Sequence, residues 1–340
     1  MNSVLRIFMA GIFGLNTFAV YSQDFQFSQL QAAPLLLNPA MTGITNGSYT
    51  IGTNYKNQWI SLENRFQTFS TFYQQSFLID SASSSRIGLG LVLFNDKAGS
   101  AQLSNTEVNI ALSYQTANRS KHQYFSAGFE GGVASRNINY TKLTWGSQIS
   151  GNQFDPSIPS GENFSNETKN YFDFSAGALW YYIPSEKFKM FCGLSMFHIN
   201  RPDQSLLNSS SDKLYSKISV QTGMQIGLDK SEKLYLIPLI TYFNQGTSNQ
   251  INAGGFLKYV FGSKSELSPS ETNFMVGGFY RRYSTVAAVG FNYKNLGLGI
   301  SYDINIGRMN SYFGASGGVE FSLRYTNFKN VKNNIKYICY

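Results

Sequence analysis

The chain has 340 residues, with 28 Phe, 22 Tyr and 31 Gly, yet only 14% of its residues are charged. A soluble domain carries about 25% charged residues, so the composition argues against a conventional soluble enzyme and fits a barrel with one face in lipid and a polar lumen. The formal charge of +8 would suit an anionic partner such as lipopolysaccharide, peptidoglycan or an acidic polypeptide. It is spread along the chain, which fits a solvated lumen lining better, and no nucleic-acid partner is expected.

Arg6 precedes an apolar run from Ile7 to Val20, and Val20-Tyr21-Ser22 offers a cleavage site. Residues 1–22 are therefore predicted to be a signal peptide removed before Gln23. The run is too short to cross a ~30 Å hydrocarbon core comfortably. No later apolar stretch reaches the ~18 residues that a spanning helix needs. Residues 23–46 do not alternate and contain Pro34 and Pro39. They are expected to lie in or under a barrel lumen, with Gln23–Gln31 extended and a turn at Asn38-Pro39, where proline fixes φ and biases its neighbour toward extended geometry.

From there onward the chain alternates. One face of the segment starting at Leu296 reads Leu296, Leu298, Ile300, Tyr302, Ile304; the other reads Gly297, Gly299, Ser301, Asp303, Asn305. Period-2 alternation is that of a strand, and a helix would mix the two sets. The same split recurs at 218–228, 87–93 and 318–325. Counting such segments predicts strands at 48–58, 66–79, 86–95, 103–116, 122–136, 170–183, 187–199, 214–228, 233–245, 249–261, 272–282, 285–294, 296–306 and 314–326. The expected fold is all-β, a transmembrane antiparallel barrel of about 14 strands spanning 47–326 in the bacterial outer membrane, with a non-barrel N-terminal segment. An even count puts both chain ends on the periplasmic side. The short connections at 80–85, 184–186, 229–232 and 294–295 fit that side, and the long loops 137–169 and 200–213 fit the other. Residues 262–271 are too long for their side and the connection at 283–284 is tight, so the register there could be off by one hairpin. Residues 327–340, with Lys329, Lys332 and Lys336, read as a basic periplasmic tail, although Tyr337–Tyr340 could also form an extra edge contact.

Catalytic chemistry has little to work with. The histidines are His122 and His198, and Cys192 and Cys339 lie far apart without metal-ligand spacing. His198 is expected to be a structural histidine at the barrel rim, beside Arg201 and Asp203. No nucleophile elbow, phosphate loop or Cys/His metal cluster is present in the sequence. No enzyme activity, cofactor or metal is expected. Gly88-x-Gly90 sits within a strand, where small inward residues relieve crowding. Asp96 and Lys97 are placed at a tight bend, and Tyr55 and Trp59 in an interfacial aromatic belt.

Several segments are more specific than a barrel requires. They are Gln23-Asp24-Phe25-Gln26-Phe27-Ser28-Gln29, Asn38-Pro39-Ala40-Met41-Thr42-Gly43, Tyr55-Lys56-Asn57-Gln58-Trp59, and Gly88-Leu89-Gly90 with Asn95-Asp96-Lys97-Ala98-Gly99. Further along come Leu143-Thr144-Trp145-Gly146, Phe154-Asp155-Pro156, Gly193-Leu194-Ser195 with His198 to Pro202, Gly299 to Asp303, and Gly318 to Tyr325. In this order the chain resembles the PorP/SprF family of the Bacteroidetes type IX secretion system. It departs in Phe25, where that family usually has proline, and in about 15 residues past the last strand.

The resemblance implies an accessory barrel for secretion or surface anchoring of a large exported protein such as a gliding adhesin. Its partners would be the C-terminal domain of that secreted substrate, periplasmic or outer-membrane components of the system, and membrane lipid. Residues expected to meet a partner or line the lumen are Gln23, Asp24, Phe27, Gln29, Asn38, Pro39, Trp59, Asp96, Lys97, Trp145, Asp155, His198, Arg201 and Asp203. The alternative is a diffusive porin or small-molecule transporter.

Overall fold

The computed structural model describes residues 24–58, 66–80, 84–118, 120, 122–150, 153–161, 167–206, 211–261, 271–282, 284–306, 316–328 and 337. The expected signal peptide, Gln23, Trp59, Cys339 and the 262–270 connection lie outside them. In chain order the strands are β1 (Tyr49–Gln58), β2 (Phe66–Asp80), β3 (Ser85–Ala98), β4 (Leu103–Ala117), β5 (Gln123–Asn137), β6 (Ile149–Ser150), β7 (Gln153–Phe154) and β8 (Thr168–Tyr182). They continue as β9 (Phe188–Phe197), β10 (Lys217–Gly227), β11 (Leu234–Gln245), β12 (Ser248–Val260), β13 (Asn273–Arg281), β14 (Ser284–Tyr293), β15 (Leu296–Asn305) and β16 (Ser316–Asn327). All but the β6–β7 pair form one closed barrel of fourteen strands, in which β5 pairs β8 and β1 pairs β16. The closing seam runs antiparallel from Tyr49 opposite Asn327 to Gln58 opposite Gly318.

Alternation makes the wall. On β15, Leu296, Leu298, Ile300, Tyr302 and Ile304 point outward and are exposed, while Gly297, Gly299, Ser301, Asp303 and Asn305 are buried inside. β3 and β10 repeat the split. Apolar side chains thus cover the outside of every barrel strand, a surface that water would penalise and hydrocarbon accepts. Every barrel strand pairs with a neighbour on both sides, as a membrane-spanning sheet without an edge requires. The molecule is an outer-membrane β-barrel.

All fourteen predicted segments are strands, with ends displaced by a few residues at most. β13 and β14 join through the tight connection with Arg281 opposite Ser284, so no hairpin slips there. Asp96 and Lys97 are not at a bend. They continue β3, opposite Thr68 and Gln67 of β2, and the turn falls at residues 99–102, where Gly99 and Gln102 take positive φ. Polar residues can prolong a strand here because inward positions face other polar groups.

Residues 24–46 lie within the ring of inward-facing residues. They form three single-turn 3-10 helices, Leu30–Ala32, Pro34–Leu36 and Pro39–Met41. Asn38 is extended, caps the third by accepting from Ala40 N at 2.8 Å, and is followed by Pro39 at the first helical position. Such short turns leave most of their backbone groups unpaired, and buried groups need partners. The wall supplies them. Ser195 Oγ donates to the Leu37 carbonyl at 2.9 Å, Ser126 Oγ to Ala40 at 2.7 Å, and Ser113 Oγ and Gln115 Nε2 to Thr42 at 2.6 and 2.8 Å. Asn38 Nδ2 donates to the carbonyls of Ala178 and Leu194 at 3.1 and 3.3 Å. Leu37, Met41 and Ile44 pack with Tyr181, Phe191, Ile237 and Phe279 in the apolar core.

Close approach explains the inward glycines. A Cβ on Gly128 would collide with the Pro39 carbonyl, one on Gly88 with the Thr42 carbonyl, and one on Gly177 with Asn38 Oδ1. The tail also reaches inside. Tyr337 is buried, its N–H donates to Asn46 Oδ1 at 2.8 Å, and its ring meets those of Tyr124 and Tyr181. At that residue the tail neither hangs clear of the barrel nor extends an edge; a tyrosine gains more by filling the apolar underside of the lumen.

Because the obstruction at Gly128 is backbone, Gly128→Ala is expected to destabilise the folded barrel by ~1–3 kcal/mol, the usual cost of overpacking. Gly278→Ala should be neutral, since the nearest atom to a Cβ there lies at 3.5 Å. Urea titration in detergent, followed by heat-modifiable gel mobility, separates the two.

Candidate functional site

Two charged clusters hold the N-terminal segment. The first gathers Lys56 of β1, Arg281 of β13, Asp303 of β15 and Glu320 of β16 around Ser28. Lys56 Nζ lies 2.9 Å from Asp303 Oδ2 and donates to Ser28 Oγ at 2.7 Å. Ser28 Oγ donates to Asp303 Oδ1 at 2.5 Å. The backbone N–H groups of Ser28 and Gln29 donate to the two oxygens of Glu320 at 2.5 and 3.0 Å. Arg281 lies 3.7 Å from Asp303 and donates to the Phe27 carbonyl. Lys56 and Glu320 are each 1% exposed and Asp303 3%. Charges this deep are tolerated only when paired and hydrogen-bonded, and here two cations face two anions.

The second cluster sits at the end of the barrel opposite Tyr49 and Asn327. Asp24 lies there and Asn46 at the other end beside Tyr337, so the segment runs through the lumen and the two chain ends are not on one side, contrary to the expectation from the even strand count. His198 follows β9 with φ at 56°. Its Nδ1 lies 2.7 Å from Asp173 Oδ2 of β8, and its Nε2 lies 2.7 Å from Asp24 Oδ2 of the N-terminal segment. Lys217 Nζ donates to the same Asp24 oxygen at 2.7 Å, and Gln245 both donates to and accepts from Asp24 at 2.9 Å. Burial alone would push the imidazole down, but the charge of Asp24 and the hydrogen bonds of Asp173 and Asp24 overcome it and hold His198 up at about 10. Burial likewise opposes the Asp24 carboxylate, and His198 and Lys217 keep it well below its ordinary value. Both ring nitrogens are committed to carboxylates, so His198 is a fixed cation and has no nucleophile to activate. Among the described residues no group of His, Cys, Asp or Glu is arranged to hold a metal.

Of the residues singled out in the sequence, Asp24, Phe27, Gln29, Asn38, Pro39 and His198 come together in this interface between segment and wall. His198 is paired there, not with Arg201 or Asp203. Asp96 accepts from Thr68 Oγ1 at 2.5 Å and lines the cavity beside the start of the segment, while Lys97 is exposed on the outer face. Trp145 caps a short turn in the 138–167 loop, and Asp155 accepts from Ser157 N and Oγ at 2.9 and 2.6 Å. Arg201 lies over the Tyr215 ring, and Asp203 accepts from Ser205 N and Asp212 N and faces Lys169 at 3.7 Å. Sequence reasoning missed Asp173, Lys217, Arg281 and Glu320 as holding residues and weighed Lys56 only as part of a motif. The usable signal was a charge at an inward strand position, where it must meet a counter-charge.

His198→Gln leaves Asp24 and Asp173 without their shared cation. The expected cost is about 3–5 kcal/mol, the range for breaking a buried pair, with faster hydrogen exchange at residues 24–29. Since the folded imidazole is held above its ordinary ~6.5, its contribution is complete below that pH and fades as pH rises toward about 10. Exchange measured by mass spectrometry from pH 6 to 10 should show that loss in the parent protein and not in the variant.

The chain was compared with known proteins. Among curated proteins nothing matches. Among solved structures it is similar to the toluene transporter TbuX of Ralstonia pickettii, at 10% identity and a TM-score of 0.49, over 87% of this chain and 94% of that one. It is also similar to the CymD monoaromatic hydrocarbon channel, at 11% identity and a TM-score of 0.49, over 87% and 92%. The toluene transporter TodX of P. putida follows at 9% identity and 0.45, over 88% and 95%. These are likenesses of barrel outline alone. The family described as type IX secretion system membrane protein PorP/SprF matches residues 19–325, and the chain belongs to that family.

Proposed function

We propose that this barrel supports the export or surface anchoring of a large secreted protein, such as a gliding adhesin, by binding rather than by catalysis. It would enter the outer membrane after cleavage of its signal peptide near Ser22. The observation that carries this reading is the occupied lumen: Asn38, Ala40 and Thr42 of the N-terminal segment are fully buried and bonded to the wall on several sides. A wall committed to its own chain offers a poor diffusion path. The surfaces left for partners are the rims and loops.

Described parts of two loops carry internal contacts suited to that work. In the 138–167 loop, β6 pairs β7 and Gln148 Nε2 donates to the Ile158 carbonyl at 2.9 Å, holding the segment with Trp145 and Asp155. In the 198–216 loop, Asp203 bridges to Lys213 in a short antiparallel contact. Segments held by such contacts lose less entropy when a partner docks. The partners in this reading are the C-terminal domain of the secreted protein, met at one rim, and type IX components met at the other. Trp145, Asp155, Arg201 and Asp203 are the residues we assign to the loop-side contact.

Membership of a secretion family and the filled lumen both weigh against a porin. The purified protein in planar bilayers should therefore show no large steady conductance, and deletion of residues 24–46 should open one. Large steady currents from the intact protein would overturn the binding role. Affinity isolation from native outer membranes should recover a large adhesin-like exported protein, lost when Trp145 and Arg201 are replaced by alanine.

A further inference from the structure

Beside the start of the N-terminal segment, at the end of the barrel opposite Tyr49 and Asn327, lies a cavity of about 420 Å³. Three neighbouring strands each turn a carboxylate toward it: Glu107 of β4, Glu130 of β5 and Asp173 of β8. Glu130 is 3% exposed and Asp173 6%, yet Glu130 Oε2 and Asp173 Oδ1 have no hydrogen-bond partner. Glu107 accepts from Asn105 Nδ2 at 2.6 Å, and Glu130 accepts from Asn109 Nδ2 at 3.2 Å. Those donors are neutral.

The cations that line the cavity are already engaged. His198 and Lys217 face Asp24, His198 also faces Asp173, and Arg136 lies 3.4 Å from Asp212. Asp24 and Asp96 complete the acidic lining. Five carboxyl groups thus meet three basic groups, and among the described residues Glu107 and Glu130 have no basic group within ion-pair distance. A buried carboxylate without such a partner is costly and is relieved either by a proton or by a bound cation; the cation is the occupant that a cavity beside it can admit.

The rest of the lining selects the kind of cation. Phe25, Phe27, Leu36, Phe94, Phe197 and Phe243 supply apolar and aromatic walls. Calcium or magnesium would need six or more oxygen ligands at 2.0–2.6 Å in a compact shell, an arrangement that the described residues do not offer. An alkyl stem beneath an ammonium or guanidinium group matches both parts of the lining, since aromatic faces attract organic cations. Lys217 already lies 4.6 Å from the Phe197 ring centroid in this way. We propose that the cavity is a binding site for one organic cation, a primary ammonium or guanidinium carried on a short apolar stem. Ala98, Leu103 and Arg136 at the strand ends mark its mouth on the loop side. The site rests on lumen geometry and is independent of the secretion role.

The cation could be a free amine or a Lys or Arg side chain of a polypeptide. Agmatine, n-butanol and an acetylated, amidated Gly-Arg-Gly peptide distinguish them when titrated by calorimetry into the mature protein in detergent at neutral pH. Agmatine should bind saturably and n-butanol should not. Glu130→Gln and the Glu107→Gln/Glu130→Gln pair, which keep the side-chain shape, should weaken agmatine about tenfold or more. The heat-modifiable mobility of these variants reports that the barrel still folds. A peptide that binds at least as well as agmatine assigns a polypeptide source; binding of agmatine alone assigns a small amine. No binding of either, binding unchanged in the double variant, or an equal response to calcium chloride would overturn the site.

Discussion

The constraint on which the rest depends is that a peptide without regular secondary structure is buried in a lumen. Residues 24–46 carry three single helical turns and therefore expose carbonyls and N–H groups that water cannot reach. Each buried orphan costs about 1–3 kcal/mol, so the wall has to answer the segment group by group. It does so with serines and amides at inward positions, with glycines where the segment's own backbone comes close, and with two charge clusters at its start. The inward face of the barrel is thus less a channel lining than a mould of one particular chain segment. That is why alternation alone, which describes any such barrel, accounts for so few of the residues that make this one distinct.

The outer face and the strand count were legible because they follow from one periodicity. Leu296 to Asn305 reads as two faces whether or not the partner strands are known. The lumen was only half legible. Asp303 was recognisable as inward-facing, but its partner Lys56 is 247 positions away in the chain and becomes a neighbour only once β1 and β16 close the ring. Asn38-Pro39 was recognisable as a turn, but local geometry does not say that Gly177 and Gly193 would pack around Asn38. Asp96 shows the reverse error. Its type suggests a turn, yet a strand that borders a polar lumen can continue through it.

The motif residues that alternation does not explain find a common explanation in the mould. Ser28 and Gln29 of the opening run, Lys56 of the Tyr55-Lys56-Asn57-Gln58-Trp59 segment, and Asp303 and Glu320 of the two closing motifs meet in one cluster. Asn38 and Thr42 meet the Gly193-Leu194-Ser195 and Gly88-Leu89-Gly90 motifs. Motifs spread over some 300 positions therefore describe a single internal interface. A partner-binding surface made by the same residues would have to displace the segment first.

The first cluster also sits on the barrel's closing seam. β1 and β16 are the first and last barrel strands to appear in the chain, and their pairing closes the longest loop in sequence, the one with the largest closure entropy. Lys56 and Glu320 lie directly opposite each other across that seam. Ser28 binds both, together with Asp303 on the adjoining β15. The N-terminal segment therefore staples the seam as well as filling the lumen. Removing it would expose two charges on the closing strands to each other's desolvation without the serine and backbone N–H groups that complete their shells. On this geometry filling and closure reinforce each other: β1 and β16 pair directly from Tyr49 to Gln58, and the segment completes the charges that face each other across their seam.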